Sequence, residues 1–205
     1  MADRARIGPL DHLGLATRMG AGASAGVLLG ERRFAAMLDL RGDPASTEFQ
    51  KAAESALGAA LPLKANTVSS AGEIKILWLG PDEWLVLSPP GSEAALEKKL
   101  AEAVIPHAGY VTDVGESRTT IVVSGLRARD VLAKGCPLDL HPDAFGPEAC
   151  AQSLIGPVGV TIHRAATGPA DPPRFELIVL RSFADYLWRF LEDAGLEYGV
   201  AVVEA

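Results

Sequence analysis

The sequence predicts an α+β fold built from two ferredoxin-like lobes. Short strand patterns alternate with amphipathic helix patterns from residue 26 onward. The order strand-helix-strand-strand-helix-strand occurs twice, and this order defines the split βαβ arrangement of ferredoxin-like folds. Residues before 26 show no sustained period and include a run of small residues, which is typical of an extended or mobile segment. We therefore predict an extended N-terminal arm over 1–25, a first lobe over 26–108 and a second lobe over 109–205.

The first predicted lobe begins with a strand and a capped helix. Thr47 is followed three residues later by Gln50, which is the spacing of a capping box at the start of a helix. Ile74, Ile76 and Trp78 alternate with polar residues, as the residues of a half-buried strand do. In chain order, the predicted elements are a strand at 34–40, a helix at 47–58, strands at 73–79 and 84–88 and a helix at 92–104. A short predicted strand at 110–113, just past the boundary at 108, completes the order.

The second predicted lobe repeats this order with one extra strand. Val158, Val160 and Ile162 alternate with smaller or polar residues, which again indicates a strand with one buried face. In chain order, the predicted elements are a strand at 119–123, a helix at 127–134, strands at 150–155, 158–163 and 175–181, a helix at 183–194 and an edge strand at 200–203. Because the second lobe has this extra strand, the two predicted lobes repeat only the order of their secondary-structure elements.

Composition and charge exclude several functional classes. The net charge is −7 and the sequence contains no run of Lys and Arg, whereas a protein that binds nucleic acid presents a basic face. No apolar run approaches the ~20 residues that a membrane-spanning helix needs. Arg4 and Arg6 are not followed by the apolar segment of a secretory signal. We therefore expect a cytoplasmic protein that binds neither nucleic acid nor a membrane.

A serine near the N-terminus matches a catalytic pattern without its context. Gly22, Ser24 and Gly26 fit the spacing of a nucleophile elbow, which requires a strand before the serine and a helix after it. Here no strand pattern precedes the motif, and 27–29 looks like a strand. The same glycines lack the βαβ unit of a dinucleotide site. We predict that Ser24 is inert and that the chain has no catalytic and no cofactor-binding residues.

Metal binding is also disfavoured. Cys136, His141 and Cys150 supply at most three ligands, whereas a structural zinc site needs four in recognisable spacing. We predict no metal site and two buried thiols. Trp84 and Trp188 leave two interpretations open, because each fits a hydrophobic core and tryptophan is also enriched among interface anchors.

Five segments carry a resemblance to a known family. The two longest are Leu132-Ala-Lys-Gly-Cys-Pro-Leu-Asp-Leu-His-Pro142 and Arg181-Ser-Phe-Ala-Asp-Tyr-Leu-Trp188. The other three are 78–85, 112–114 and 150–152. Together they resemble the gamma subunits of heterotetrameric sarcosine oxidases over most of the chain from residue 78 to 195.

The resemblance implies a function within a complex. Such a complex oxidatively demethylates sarcosine to glycine, forms hydrogen peroxide and passes the one-carbon unit to tetrahydrofolate. The implied partners are alpha, beta and delta subunits. FAD, FMN, NAD and tetrahydrofolate are implied for the complex, and the flavins and NAD belong to its larger subunits. The resemblance thus implies a non-catalytic assembly subunit that carries no cofactor.

A wider resemblance connects the chain to the folate-binding aminomethyltransferases, whose folate-binding domain implies the same ferredoxin-like lobes. It rests on Asp113-Val114, the segment 120–125 and Asp139-Leu140. Aminomethyltransferases usually carry a glycine and a pair of aspartates after the next hairpin, where this sequence has Gly156 to Thr161. Valine and threonine cannot accept a proton from a folate amine. The alternative function, a stand-alone folate-dependent aminomethyltransferase, is therefore disfavoured.

Overall fold

The computed structural model describes residues 6–20, 25–168 and 170–205. It contains two antiparallel-rich β-sheets, and helices pack against each of them. This arrangement confirms the predicted α+β class. The helices are α1 Leu15–Arg18, α2 Thr47–Leu57, α3 Glu93–Val104, α4 Ala128–Ala133 and α5 Ala184–Gly195.

The first sheet has five strands in the order β3-β4-β5-β2-β6. These are β2 Ala36–Arg41, β3 Val68–Ala71, β4 Ile74–Gly80, β5 Glu83–Ser88 and β6 Tyr110–Asp113. Strands β2, β4, β5 and β6 with helices α2 and α3 follow the βαββαβ order, and β3 adds an edge strand. The helices cover one face, where α2 and α3 bury Phe49, Ala53, Leu96 and Leu100 against the sheet.

The second sheet has six strands in the order β11-β1-β7-β10-β9-β8. These are β1 Val27–Arg32, β7 Arg118–Ser124, β8 Ala149–Ile155, β9 Val158–Ala165, β10 Arg174–Leu180 and β11 Val200–Val202. Strands β7, β9, β10 and β11 with α4 and α5 give the same βαββαβ order. Strand β8 is the extra edge strand, and β1 is inserted between β11 and β7.

The predicted lobe boundaries differ from the observed sheets. Strand β1 falls inside the predicted first lobe, 26–108, but it pairs with β11 in parallel and with β7 in antiparallel orientation. Conversely, β6 falls inside the predicted second lobe, 109–205, but pairs with β2. The boundaries are therefore wrong at both ends of the first lobe, because a strand pattern specifies which face is buried and does not specify the partner strand.

The described part of the predicted N-terminal arm is folded. Residues 6–20 contain a 3₁₀ helix, Asp11–Leu13, followed by α1. Leu10 is fully buried in the core of the second lobe. Ser24 lies outside the described residues. The expectation of an extended arm is thus wrong for residues 6–20, since the segment is held by the burial of Leu10 and by ion pairs of His12 with Asp185 and of Arg18 with Glu192.

The predicted capping box of α2 is also wrong by one residue. Ser46 is the N-cap, and its Oγ accepts a hydrogen bond from the Phe49 amide at 3.2 Å. Gln50 donates its side-chain amide to the carbonyl of Pro44. A serine directly before the helix provides the same cap that the sequence pattern assigned to Thr47.

Candidate functional site at the joint between the sheets

The two sheets meet through a small apolar cluster. Its buried members from the five-stranded sheet and the turn before it are Ala35, Met37, Leu77, Leu85 and Leu87, and those from the six-stranded sheet are Cys150 and Ile178. The edge of β8 completes the contact, because the Cys150 amide donates to the carbonyl of Asn66 at 3.1 Å. Gln152 donates its side-chain amide to the carbonyl of Leu79 at 2.8 Å. We refer to this contact as the joint.

Cys150 is a structural thiol in this joint. Its Sγ lies 3.4 Å from the carbonyl oxygens of both Thr67 and Trp78. Burial raises the pKa of the Cys150 thiol to about 11. A thiol with such a pKa stays protonated at neutral pH and is a poor nucleophile, so Cys150 contributes packing to the joint.

Next to the apolar cluster lies a buried ion pair. His163 on β9 and Glu176 on β10 are cross-strand neighbours, and their side chains are 0% and 1% exposed. His163 Nδ1 lies 3.0 Å from Glu176 Oε2. Because Cys150 is also a cross-strand neighbour of His163, the pair lies on the face of the six-stranded sheet that meets the other sheet.

Further charged groups surround this pair. The guanidinium of Arg32 on β1 forms an ion pair with Glu176 Oε1, and Arg174 Nε lies 3.8 Å from the same oxygen. Glu148 Oε1, just before β8, lies 3.7 Å from His163 Nε2. Lys75 on β4 of the other sheet adds a positive charge near this group, and that charge lowers the pKa of His163.

The charges in this group determine the protonation of Glu176. Burial raises the pKa of Glu176, but the hydrogen bond from His163 and the positive charges of Arg32 and His163 outweigh it and lower that pKa to about 2. Likewise, the interaction with His163 lowers the pKa of Glu148. Both carboxylates are therefore ionised at neutral pH, and Glu176 is a buried anion that depends on its cationic neighbours.

A cleft of about 950 Å³ opens beside this ion pair. Arg32 and Lys75 line it on the side of the joint, and the N-terminal segment lines it with Leu10, Leu15 and Met19. Glu31 on β1 also faces the cleft and accepts a hydrogen bond from the Thr119 hydroxyl at 2.9 Å. Burial raises the pKa of Glu31.

The cleft has the size of a small-molecule site and a limited set of reactive groups. Ser88 is the one hydroxyl-bearing side chain among its described lining residues, and its Oγ lies 2.7 Å from the Ser92 hydroxyl. A nucleophilic serine requires a base as its hydrogen-bond partner, and a second serine hydroxyl is not a base. Ser88 therefore lacks the base that a serine nucleophile needs, and the lining suits binding or packing.

Comparison with known proteins identifies the family. A family model described as the sarcosine oxidase gamma subunit family matches residues 41–197. The chain belongs to the sarcosine oxidase gamma subunit family. A relative named sarcosine oxidase subunit gamma, from Corynebacterium sp. (strain P-1), is 36% identical over 195 residues, which cover 94% of this chain and 91% of the relative. The resemblance predicted from the sequence motifs is confirmed.

Solved structures agree with this family and with the fold. A chain of the heterotetrameric sarcosine oxidase from Corynebacterium sp. U-96, solved with pyrrole 2-carboxylate, superposes with a TM-score of 0.84 at 30% identity, covering 98% of this chain and 100% of that chain. The glycine cleavage system aminomethyltransferase T from Bartonella henselae superposes with a TM-score of 0.70 at 16% identity, covering 95% of this chain and 58% of that chain. The second similarity shows a shared fold alone.

The two tryptophans of this gamma-subunit family member are core residues. Both side chains are 0% exposed, Trp84 in the core of the first lobe and Trp188 in the core of the second. Trp84 Nε1 donates to the carbonyl of Pro62 at 2.8 Å. The interpretation of Trp84 and Trp188 as interface anchors is therefore wrong, since a side chain buried within its own lobe offers no surface to a partner.

The predicted metal candidates do not form a shared site in the described part of the chain. Cys136 and Cys150 are both buried free thiols. The side chain of His141 is 64% exposed and interacts with Asp143. Within residues 6–20, 25–168 and 170–205, no cluster of three or more metal-ligating side chains was found.

The joint itself was missed by sequence reasoning. His163 has no partner at ligand spacing in the sequence, so the sequence pattern does not single it out. Glu176 is the residue of this ion pair that the sequence could have indicated, because it is a lone carboxylate in the otherwise apolar stretch 175–180. A charged residue inside a buried strand requires a partner, but the sequence does not say that this partner is His163.

The segment Gly156 to Thr161, where the resemblance leads us to expect the aspartates of aminomethyltransferases, forms the turn into β9 and its first residues. Gly156 forms the tight turn into β9 with a φ of +57°, and Val160 is buried in the core of the second lobe. Thr161 is half-buried.

None of the helices in the described residues is both long and apolar enough to span a membrane.

Proposed function

We propose that this chain acts as a non-catalytic assembly subunit of a heterotetrameric sarcosine oxidase, together with alpha, beta and delta subunits. The observation that carries the proposal is the match of nearly the whole chain, 98%, to the whole of one chain in a structure of that complex. A match of this extent favours the same place in the same kind of assembly. A cytoplasmic location is part of the proposal.

In this proposal, the complex converts sarcosine to glycine with formation of hydrogen peroxide and passes the one-carbon unit to tetrahydrofolate. FAD, FMN, NAD and tetrahydrofolate then serve the complex, and this chain binds none of them. The sheet topology supports that division. Dinucleotide sites lie at the carboxyl ends of parallel strands in βαβ units, whereas β1 and β11 are the one parallel pair of named strands in the described residues.

The alternative of a stand-alone folate-dependent aminomethyltransferase has less support. The similarity to the Bartonella henselae enzyme, at 16% identity, concerns the fold. The hairpin that joins β8 to β9 carries Gly156 and leads to Val160 and Thr161, none of which can serve as a general base. The shared fold therefore does not carry the transferase activity to this chain.

Co-expression tests the proposal directly. The chain is produced alone and together with the alpha, beta and delta subunits of the Corynebacterium sp. U-96 complex. We expect the chain to co-purify in a stable complex with sarcosine oxidase activity. We expect the isolated chain to have no flavin absorbance and no activity, because flavin chemistry requires the flavin. Failure to enter the complex, or turnover of sarcosine by the chain alone, would contradict the proposal.

A further inference from the structure

The joint contains a buried histidine in a place where apolar residues would pack well. Burying charged groups is costly, and apolar replacements are often as stable or more stable. The neighbouring contact between the sheets is made of apolar side chains. A charged imidazole at such a position points to a role beyond packing.

The geometry around His163 favours the doubly protonated imidazolium. One ring nitrogen lies 3.0 Å from a Glu176 oxygen, a hydrogen-bond distance, and the other lies 3.7 Å from a Glu148 oxygen, an ion-pair distance that is too long for a hydrogen bond. A neutral imidazole has one N–H, so its second nitrogen would direct a lone pair at a carboxylate. The imidazolium directs an N–H and positive charge toward both carboxylates.

Glu148 connects this histidine to the contact between the sheets. It has a φ of +59°, a left-handed conformation that is strained for a residue with a side chain. Its carboxylate is held by His163 and by the amide of Ala166 at 2.9 Å. The next two residues, Ala149 and Cys150, bridge to Thr67 and bond to Asn66 of the other sheet.

We propose that His163 is a protonation-dependent lock, whose imidazolium holds Glu148 and the start of β8 in the conformation that joins the two sheets. Loss of the proton removes the attraction to both carboxylates and frees the strained turn at Glu148. The contact of β8 with Asn66 and Thr67 then loosens. The two lobes keep their own cores, because the cores lie on the opposite faces of the sheets.

The charged groups around His163 affect its protonation in opposite directions. Burial lowers the pKa of His163, but the two carboxylates outweigh it and the pKa is raised above its ordinary value. Lys75 on β4 opposes the charge of His163. Arg32 on β1 and Arg174 on β10 both act on Glu176. His163 is therefore protonated and holds Glu148 at pH values below the ordinary histidine pKa. This interaction is lost as the pH rises through the raised pKa of His163.

Two measurements on the isolated full chain test the lock. The first is the NMR titration of the imidazole of His163 in protein labelled at its four histidines. The second is acrylamide quenching of tryptophan fluorescence, since Trp78 lies half-buried at the joint while Trp84 and Trp188 are fully buried. We expect His163 to titrate above the exposed histidines, and quenching to increase through the same pH range.

Variants separate the lock from a merely structural role. His163→Gln should abolish the pH dependence of quenching, whereas His141→Gln, at an exposed histidine, should leave it unchanged. Lys75→Met should move the transition to higher pH by roughly half a pH unit or more, and Glu148→Gln, which removes the carboxylate that the imidazolium holds, should abolish the pH dependence of quenching. These two variants decide the matter if His163→Gln does not fold. A His163 that titrates at or below the exposed histidines, or a transition unmoved by both variants, would overturn the proposal.

Discussion

At the scale of single residues, the most consequential feature is the carboxylate of Glu176. It is 1% exposed and sits in a strand whose neighbouring side chains are apolar. Its charge is compensated from β9 by His163 and from β1 by Arg32. Replacing such a network as a whole by apolar side chains is often neutral, but removing one partner leaves an uncompensated buried charge and destabilises the fold strongly.

Replacing Glu176 by glutamine should therefore lower the free energy of unfolding at pH 7 by about 3 kcal/mol, because it leaves the buried His163 and the half-buried Arg32 without their shared anion. Since the pKa of Glu176 is lowered to about 2, its contribution is complete above its ordinary pKa and is lost as the pH falls toward 2. Urea titrations between pH 7 and 2 should thus show a flatter acid profile for Glu176→Gln than for the wild type.

The matched control is Glu102→Gln, since Glu102 is 69% exposed and paired with Lys98 on the surface of α3. Exposed pairs of this kind contribute about 0–1 kcal/mol. If Glu176→Gln cost no more than this control, the network would not contribute to stability as described.

At the scale of elements, strand β1 completes the sheet of the second lobe. It pairs with β11 on one side and β7 on the other, so the sheet would be split without it. Val27 and Leu29 point into the core under α4 and α5 and are both fully buried. The strand thus belongs to the second lobe although it precedes the whole first lobe in the chain.

Leu29→Ala should lower the free energy of unfolding by about 2–5 kcal/mol, because it leaves a cavity in a packed core. The local effect of Leu29→Ala should appear in the strands that pair with β1. We expect faster amide hydrogen exchange in β7 and β11 and little change in β2 and β5. Leu126→Ala serves as the control, since Leu126 is 79% exposed. Faster exchange confined to the five-stranded sheet would contradict the assignment of β1 to the second lobe.

At the scale of the whole molecule, the chain is two βαββαβ units joined through a small contact and a cleft. The fold is shared with an aminomethyltransferase, but the chemistry of a fold resides in its sites. The cleft is lined by Arg32, Lys75 and Glu31 and by apolar side chains of the N-terminal segment. Its described lining suits packing or binding.

The isolated chain should accordingly bind tetrahydrofolate negligibly, because Gly159, Val160 and Thr161 replace the usual aspartate pair. Isothermal titration calorimetry with tetrahydrofolate measures this, and an authentic aminomethyltransferase is the positive control. Saturable binding at micromolar concentrations, equivalent to about −8 kcal/mol, would show that the cleft has kept a folate site.

What the sequence alone determined was the family and most of the local elements, with α1 and β3 as exceptions. The helices at 47–57, 93–104 and 184–195 were predicted within one residue at each end, because helical periodicity and end signals are local. The tertiary structure decided which strands pair, where Trp84 and Trp188 lie, and that His163 faces Glu176. These features depend on contacts between residues far apart in the chain. Strand patterns repeat every two residues wherever they occur and so do not specify their partners.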